Sequence, residues 1–148
     1  MPSTFADRTH RLELQMLELI NADRAAPSSL PETSGRAHPL QWDARLAAVA
    51  RAHSEEMAQR AYFSHEGWDG SLPSSRVSKA GIPWRSTGEN IAKTSDVLEA
   101  ESHFMNEPKF QHNHRANILS QNYTHVGIGI AKGSDGFLYI TQEFAELR

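Results

Sequence analysis

Histidine is the residue type in this sequence with the clearest capacity for chemistry. The 148-residue chain contains eight His, and His103, His112, His114 and His125 lie within one short stretch. Imidazole binds divalent metals and titrates near neutral pH, so such a cluster can hold a cation or transfer protons. In an extended strand, His112 and His114 would also face the same side. A solvated or core-packed set of histidines fits the same count, and composition alone leaves both interpretations open.

Familiar catalytic motifs are absent from the sequence. It contains no His-Glu-x-x-His, no Gly-x-Ser-x-Gly, no phosphate-binding glycine-rich loop and no dinucleotide fingerprint. It also contains no Cys, which excludes disulfides, thiolate metal sites and cysteine nucleophiles. The lack of Cys thus removes several catalytic classes together.

The composition is that of one globular domain. Hydrophobic residues make up 39% and charged residues 22% of the chain, and its length is sufficient for a single core. Lys and Arg number 15 against 18 Asp and Glu, so the net charge of -3 argues against a nucleic-acid partner. No apolar run is long enough to span a membrane. We expect a monomer.

The N-terminal residues carry no export signal. Residues 1–7 have neither a basic start nor an apolar run of signal-peptide length. The protein is therefore expected to be either cytoplasmic or exported by a signal that is missing from this sequence.

Helical periodicity organises the first half of the chain. Apolar residues at helical spacing from Leu12 to Ile20 predict a first helix, preceded by an N-terminal extension over residues 1–11. Residues 25–40 are rich in Pro, Ser and Gly and predict a loop. A second helix is expected to begin after Asp43, a favourable N-cap, and His53 on its apolar stripe is expected to be a core residue.

Two shorter helices and a small sheet complete the pattern. One helix is predicted near residues 74–79, and another is predicted from Asp96 until Pro108 interrupts it. Gly88 is expected to form a turn that leads into a brief strand. The clearest strands are Val126–Ala131 and Phe137–Phe144, which are joined by a glycine-containing turn. Helices around a small antiparallel sheet indicate an α+β domain.

Several short segments carry a family resemblance when they are taken together. They are Leu19–Arg24, Leu40–Leu46, Ala50–Ser54, Phe63–His65, Gly88–Ala92, His114–Leu119, Val126–Gly129 and Tyr139–Phe144. In this order they resemble the CAP superfamily (cysteine-rich secretory proteins, antigen 5, pathogenesis-related 1; the SCP domain), in its cysteine-free bacterial type. Each segment is short, but their joint occurrence over residues 12–145 is specific.

This resemblance implies a fold and a cleft. The fold is a three-layer α-β-α sandwich, with one CAP domain over residues 12–148. The cleft is lined by two His and two acidic residues, and these fall on His65, Glu89, Glu107 and His114. Glu107 is assigned through the helix motif aromatic-x-x-Glu, in which Phe104 replaces the more usual Trp. Residues 108–113 also lengthen the link to His114 relative to many bacterial relatives.

The same resemblance implies a metal and a set of orienting groups. Some family members bind Zn or Mg at the His pair, and two imidazoles with two carboxylates can coordinate such a cation together with water. The four groups can equally form a proton network, because a carboxylate favours a neighbouring imidazolium. His112, Arg115 and Tyr123 are expected to lie around the His pair and orient it.

Three functions stay open at this point. The first is an exported bacterial protein, extracellular or in the cell envelope, that acts mainly as a binding module for a lipid, a cell-envelope glycan or a protein. The second is a metal-assisted, peptidase-like hydrolase in which Glu89 or Glu107 is the general base. The third is a structural interaction domain with no ligand in the cleft.

Overall fold

Helix α1 is longer than its apolar stripe. In the computed structural model, which describes residues 4–148, α1 spans Phe5–Ala25. Thr4 and Asp7 form a capping box: the Thr4 hydroxyl accepts from the Asp7 N–H, and the Asp7 carboxylate accepts from the Thr4 N–H. Of the expected N-terminal extension, residues 5–11 are therefore helical, and residues 1–3 lie outside the described part of the chain.

The segment predicted as a loop contains two short helical turns. A 3₁₀ turn spans Pro27–Ser29, and helix α2 spans Leu30–Thr33. Pro27 and Pro31 occupy early positions in these turns, where a missing N–H costs nothing and the fixed φ favours a helix. The prediction of an unstructured loop was therefore wrong for these seven residues.

The next three helices confirm the predicted ones. They are α3 (Ala44–Arg60), α4 (Pro73–Lys79) and α5 (Val97–Met105). The Asp43 carboxylate accepts from the backbone N–H groups of Arg45 and Leu46, which fixes the start of α3. Asp96 caps α5 in the same way, by accepting from the N–H of Glu99.

Helix α6 changes the interpretation of the His112–His114 pair. It spans His114–Leu119, and the Asn113 side chain caps it by accepting from the N–H of Ala116. His114 is therefore the first residue of a helix. The two rings do not project from one extended strand, because the chain turns into the helix between them.

Within residues 4–148 the sheet has four strands, in the order β1-β3-β4-β2. They are β1 (Gln41–Trp42), β2 (Trp84–Thr94), β3 (His125–Lys132) and β4 (Leu138–Leu147). β4 pairs antiparallel with β3 on one side and with β2 on the other. β1 is parallel to β3, so this short edge strand makes the sheet mixed rather than wholly antiparallel.

Gly88 lies inside β2 and not in a turn. It pairs with Phe144, near the middle of the strand. A Cβ at this position would lie 2.5 Å from Tyr123 Oη and 2.8 Å from Asn117 Oδ1. Glycine is required here by close packing rather than by a chain reversal, which is why β2 is longer than predicted.

Helix α3 packs on one face of the sheet and approaches the backbone of β3 directly at two glycines. Gly127 and Gly129 lie on this face of β3, and an added Cβ would lie 2.0 Å from Ala47 N and 2.1 Å from Arg51 N respectively. The helix backbone therefore packs directly on the strand.

The opposite face of the sheet carries the main core. Helices α1, α5 and α6 pack there, and their apolar side chains meet those of β3 and β4. The central members are Met16, Ile20, Phe104, Ile118, Val126, Ile128, Ile140 and Phe144. With α3 on the other face, this confirms the expected α-β-α layers.

Arg24 connects the end of α1 to the chain around α6. It is 3% exposed. Its guanidinium donates to the carbonyl oxygens of His38, Ile118 and Ser120, each at 2.8 Å, and more weakly to that of Tyr123. One buried side chain thus satisfies backbone carbonyls from separate loops.

Candidate functional site

Strand β2 presents consecutive residues to opposite faces of the sheet. Glu89 pairs with Glu143, and Glu143 pairs with Gly127 on the face that α3 covers. Asn90 is the next residue, so its side chain points to the face of α5 and α6. The two halves of the predicted cleft are therefore carried by neighbouring positions on one edge strand.

On the α3 face, Glu89 holds His65 and Arg76. Its Oε1 lies 2.8 Å from His65 Nδ1, and its Oε2 accepts from Arg76 Nη2 at 2.7 Å. Arg76 also donates to the His65 carbonyl oxygen at 2.9 Å, which fixes the loop that carries the ring. The Glu89 carboxylate is almost fully buried, whereas 49% of the His65 side chain is exposed.

Glu143 lies next to Glu89 and is completely buried. Burial and the neighbouring Glu89 carboxylate raise the pKa of Glu143 well above its ordinary value. Burial alone would also raise the pKa of Glu89, but hydrogen bonds from Glu143 and His65 and the charge of Arg76 outweigh it, and the net shift is downward. The shifts favour the protonated form of Glu143, which could donate to the Glu89 carboxylate, and neither Glu143 oxygen has another hydrogen-bond partner within residues 4–148.

On the other face, Glu107 holds His114. The Glu107 Oε2 lies 2.7 Å from His114 Nδ1, and Glu107 Oε1 accepts from the backbone N–H of Arg115 at 3.1 Å. The Phe104 ring stacks on the imidazole, with centroids 4.6 Å apart. The Phe in place of Trp and the longer link before His114 are thus compatible with a formed pair. One third of the His114 side chain is exposed.

Asn90 and Asn117 tie the two pairs together. The Asn90 amide donates to the His114 carbonyl oxygen at 3.2 Å, and the Asn117 amide donates to Asn90 Oδ1 at 2.8 Å. Asn117 also reaches the backbone carbonyl of Glu89 at 3.4 Å. The structure thus arranges the four predicted residues as two His–Glu pairs flanking β2. Nowhere in residues 4–148 do three or more His, Asp or Glu side chains form a group suited to a metal ion.

The three groups expected to orient the His pair differ in what they contact. Arg115 contributes its backbone N–H to Glu107, while its buried side chain forms an ion pair with Glu32 of α2 at 2.7 Å. Tyr123 stacks on Phe144, with centroids 5.6 Å apart. His112 is exposed in the irregular segment before α6 and takes no part in the hydrogen bonds of either pair.

His53 is a core residue, as expected from its position on α3. It is 2% exposed, and its Nε2 lies 2.8 Å from the Ser64 carbonyl oxygen. Burial lowers the pKa of His53. Because a carbonyl oxygen only accepts, the neutral ring carries its proton on Nε2 and its lone pair on Nδ1.

A second buried carboxyl group lies on the α5 and α6 face. Glu101 is 3% exposed, and Gln142 approaches its Oε1 at 3.5 Å. Gln142 in turn accepts from the Asn90 amide at 3.0 Å, so Glu101 adjoins the polar chain that reaches His114. Burial, followed by the contact with Asp23, raises the pKa of Glu101 to about 9.

Sequence reasoning missed Arg76, Glu143 and Asn90 as parts of this site. A signal existed for Glu143, because it is a carboxylate in the interior of a strand that otherwise reads as buried. Asn90 stood in the quoted segment Gly88–Ala92 but was given no role. Arg76 gave no signal, since a basic residue in a short helix is ordinarily solvated.

Comparison with known proteins identifies the family to which this sequence is similar. The model of the cysteine-rich secretory protein family (CAP) matches residues 17–144. Among curated proteins, YkwD of Bacillus subtilis is 34% identical over 136 residues, covering 89% of this chain and 46% of that protein. The chain thus spans less than half the length of this relative.

Solved structures agree with this match. An extracellular SCP-domain protein of Bacillus anthracis has a TM-score of 0.76 and 28% identity, covering 98% of this chain and 44% of that one. An outer surface protein of Borrelia burgdorferi has a TM-score of 0.71 and 16% identity, covering 90% and 94% of the two chains, and so shares the fold. In residues 4–148 of this chain, no helix has both the length and the apolar character needed to cross a bilayer.

Proposed function

The chain belongs to the CAP (cysteine-rich secretory protein) family, and from that premise we propose that it is an extracellular or cell-envelope binding module whose recognition centre is the two His–Glu pairs beside β2. One observation carries this proposal: each imidazole is held through Nδ1 by a carboxylate at 2.7–2.8 Å while its ring stays partly open to solvent. The location is supported by the extracellular protein of Bacillus anthracis and the outer surface protein of Borrelia burgdorferi.

The hydrogen-bond pattern gives both imidazole rings the same tautomer. A carboxylate only accepts, so Nδ1 of His65 and of His114 carries the proton, and the neutral ring presents the lone pair of Nε2. For each ring, the carboxylate contact is the only hydrogen bond it makes within the described residues. The free nitrogen can accept from a hydroxyl or amide of a lipid head group, a cell-envelope glycan or a protein.

The two imidazoles, each held by a carboxylate, have one feature of a site for a divalent cation. Metal-ligating histidines typically donate their second ring nitrogen to a carboxylate, as His65 and His114 do. Imidazole nitrogen suits Zn²⁺, whereas Mg²⁺ prefers oxygen ligands, so zinc is the better match. His65 and His114 belong to pairs on opposite faces of β2, so each would offer Zn²⁺ a single imidazole ligand, with water or the bound partner in the other positions; no group of three protein ligands forms among residues 4–148.

Binding is favoured over hydrolysis by the state of Glu89. A general base works best when its pKa is near the working pH. The Glu89 carboxylate is buried, its pKa is shifted down, and both of its oxygens are engaged by His65 and Arg76. A purely structural network is disfavoured by the exposed half of the His65 side chain, since such a network gains most when it is enclosed.

The test combines metal titration with ligand cosedimentation. Zn²⁺ binding is measured by calorimetry, and binding to isolated bacterial cell-wall glycan and to phosphatidylglycerol vesicles is measured by cosedimentation. His65→Ala and His114→Ala should each weaken binding of Zn²⁺. Each should also weaken binding of whichever partner, glycan or vesicle, cosediments with the wild type. His103→Ala is the matched control, because 76% of its side chain is exposed and it lies outside both pairs.

Three results would contradict the proposal. Unchanged binding in both variants, with a lowered melting temperature, assigns the pairs a structural role. The absence of binding to either partner, with or without Zn²⁺, removes the recognition role. Turnover of a peptide substrate that is lost in Glu89→Gln establishes the hydrolase instead.

A further inference from the structure

A pocket lies between α3 and α4. It has a volume of about 520 Å³. Its polar lining consists of His53, Glu56, Asp69, Ser71, Ser75, Arg76 and Lys79. Neither His65 nor His114 lines it, so this pocket is distinct from the two His–Glu pairs, although Arg76 contacts both places.

His53 gives the pocket a buried acceptor. Its Nε2–H donates to the Ser64 carbonyl oxygen, and its Nδ1 is buried with no hydrogen-bond partner in the described residues. The low pKa of His53 keeps the ring neutral, so Nδ1 has a lone pair and lacks a donor. A buried polar atom without a partner is costly, which makes it a marker for a ligand or a bound water.

Arg76 gives the pocket a buried donor. Its two Nη atoms are engaged, one with Ser71 and the other with the His65 carbonyl oxygen and Glu89. Its Nε–H is buried and has no acceptor in residues 4–148. The same residue therefore braces the His65 pair with one end of its guanidinium and leaves Nε–H unsatisfied in the wall of the pocket.

The charges around the pocket cancel. Glu56 accepts from the Trp68 backbone N–H and the Tyr62 hydroxyl, and these hydrogen bonds lower its pKa. Asp69 accepts from Ser71, which also lowers its pKa. Within the lining these two carboxylates equal the cations Arg76 and Lys79 in number, and Arg76 is also paired with Glu89, so the pocket has no excess of positive charge and favours a neutral ligand over an anion.

We propose that this pocket binds a neutral, hydroxyl-rich ligand of the saccharide class. A hydroxyl can accept from a donor such as Arg76 Nε–H and can donate to an acceptor such as His53 Nδ1, so a ligand with several hydroxyl groups can satisfy both. The loop that supplies Asp69 and Ser71 also carries Trp68, which is 60% exposed. Trp68 does not line the pocket itself and Arg60 lies 4.7 Å from its ring centroid, but the exposed part of the indole can pack against the apolar face of a sugar ring that extends beyond the pocket.

The experiment uses maltose and the disaccharide of N-acetylglucosamine as probes, with inorganic phosphate as the anionic comparison. Amide chemical shifts of the full chain are followed by ¹H–¹⁵N NMR. Saturable shifts are expected in α3 and α4 with at least one saccharide, and weaker or no shifts with phosphate. Tighter binding of phosphate than of either saccharide would overturn the ligand class.

Two variants on the same helix locate the site. Ala52 is exposed and lines the pocket, so Ala52→Leu fills its mouth and should weaken saccharide binding by about tenfold. Gln59 is exposed on α3 but does not line this pocket, and Gln59→Leu should leave the affinity unchanged. Equal affinity in both variants would overturn the assignment.

The remaining controls separate this proposal from the function of the His–Glu pairs. Arg76→Lys keeps the positive charge but removes Nε–H, so it should weaken saccharide binding; because Arg76 also contacts Glu89 and the His65 carbonyl oxygen, the separation of the two functions rests on His114→Ala. His114→Ala should bind the saccharide normally even where it loses Zn²⁺. Absence of saturable shifts with both saccharides would mean that a buried water alone bridges the two nitrogens, and the proposal would fail.

Discussion

Glu143 and Glu89 face each other across the β4–β2 pairing on the side of the sheet that α3 covers, and burial beside the Glu89 carboxylate raises the pKa of Glu143. The buried neutral acid holds the buried anion, and the anion holds His65. The position of an exposed imidazole therefore depends on a residue in the middle of a central strand.

Replacement of Glu143 by Gln should remove a pH dependence without breaking this chain of contacts. The raised pKa of Glu143 means that its stabilising contribution is fully present below its ordinary value and is lost as pH rises through its folded value. Glu143→Gln keeps an N–H donor for Glu89, so its free energy of unfolding should lie within about 1 kcal/mol of the wild type at about pH 5.

Between about pH 5 and pH 8, the wild type should then lose more stability than Glu143→Gln. Urea denaturation at several pH values measures the difference. Glu66→Gln, which changes an exposed carboxylate near His65, is the control and should parallel the wild type. Parallel curves for Glu143→Gln as well would contradict a protonated Glu143.

Glu101 should produce a second alkaline loss of stability. Its pKa rises from 4.5 to about 9 in the folded state. The folded protein therefore binds one more proton than the unfolded chain between these values, and stability falls as pH increases. Glu101→Gln should be more stable than the wild type by at least about 1 kcal/mol near pH 9 and similar to it near pH 5.

Melting temperature against pH measures this effect. Glu99→Gln, on the same helix but exposed, should follow the wild type at every pH. A Glu101→Gln curve that stays parallel to the wild type from pH 5 to pH 9 would show that Glu101 is ionised in the folded protein.

Gly127→Ala should separate α3 from the sheet. The added methyl would meet the backbone of Ala47 at 2.0 Å, and backbone cannot move aside as a flexible side chain can. We expect a loss of about 3 kcal/mol or failure to fold, as judged by urea denaturation and circular dichroism. Gly81→Ala meets open space and should cost only the strain of its positive φ, about 1 kcal/mol. Equal losses at the two positions would refute the close contact.

Arg24→Met should destabilise the protein because buried carbonyl oxygens would lose their hydrogen-bond donor. Carbonyl oxygens of His38, Ile118 and Ser120 would lose a charged donor in a buried site. The expected loss is about 3 kcal/mol or more in free energy of unfolding. Arg36→Met, at an exposed position, should change stability by less than about 0.5 kcal/mol. A small effect at Arg24 would mean that water replaces the guanidinium.

The helices and the β3–β4 hairpin were predictable because local signals agree with the tertiary structure. Asp43 and Asp96 cap helices where the apolar stripes begin, and β3 alternates large and small residues. Gly88 misled the prediction because glycine marks turns and close contacts alike. The distinction depends on Tyr123 and Asn117, which are distant in sequence.

The candidate site was predictable in its members but not in its arrangement. The family resemblance placed His65, Glu89, Glu107 and His114, and the structure joins each His to one Glu. That Glu89 and Asn90 send these contacts to opposite faces follows from strand geometry, but only once Gly88 is known to lie inside a strand. The role of Glu143 depends on the β2–β4 register, which a single sequence does not specify.

The contact of α3 with Gly127 and Gly129 divides the saccharide pocket into a rigid wall and an adaptable one. At these two glycines no side chain lies between helix and strand that could rearrange, so the direct backbone contact holds His53 at a fixed depth. Helix α4, only seven residues long, forms the opposite wall. Ligands of different size would therefore be accommodated by displacement of α4, which would carry Arg76 with it, whereas His53 on α3 would keep its place and its preference for a hydroxyl donor.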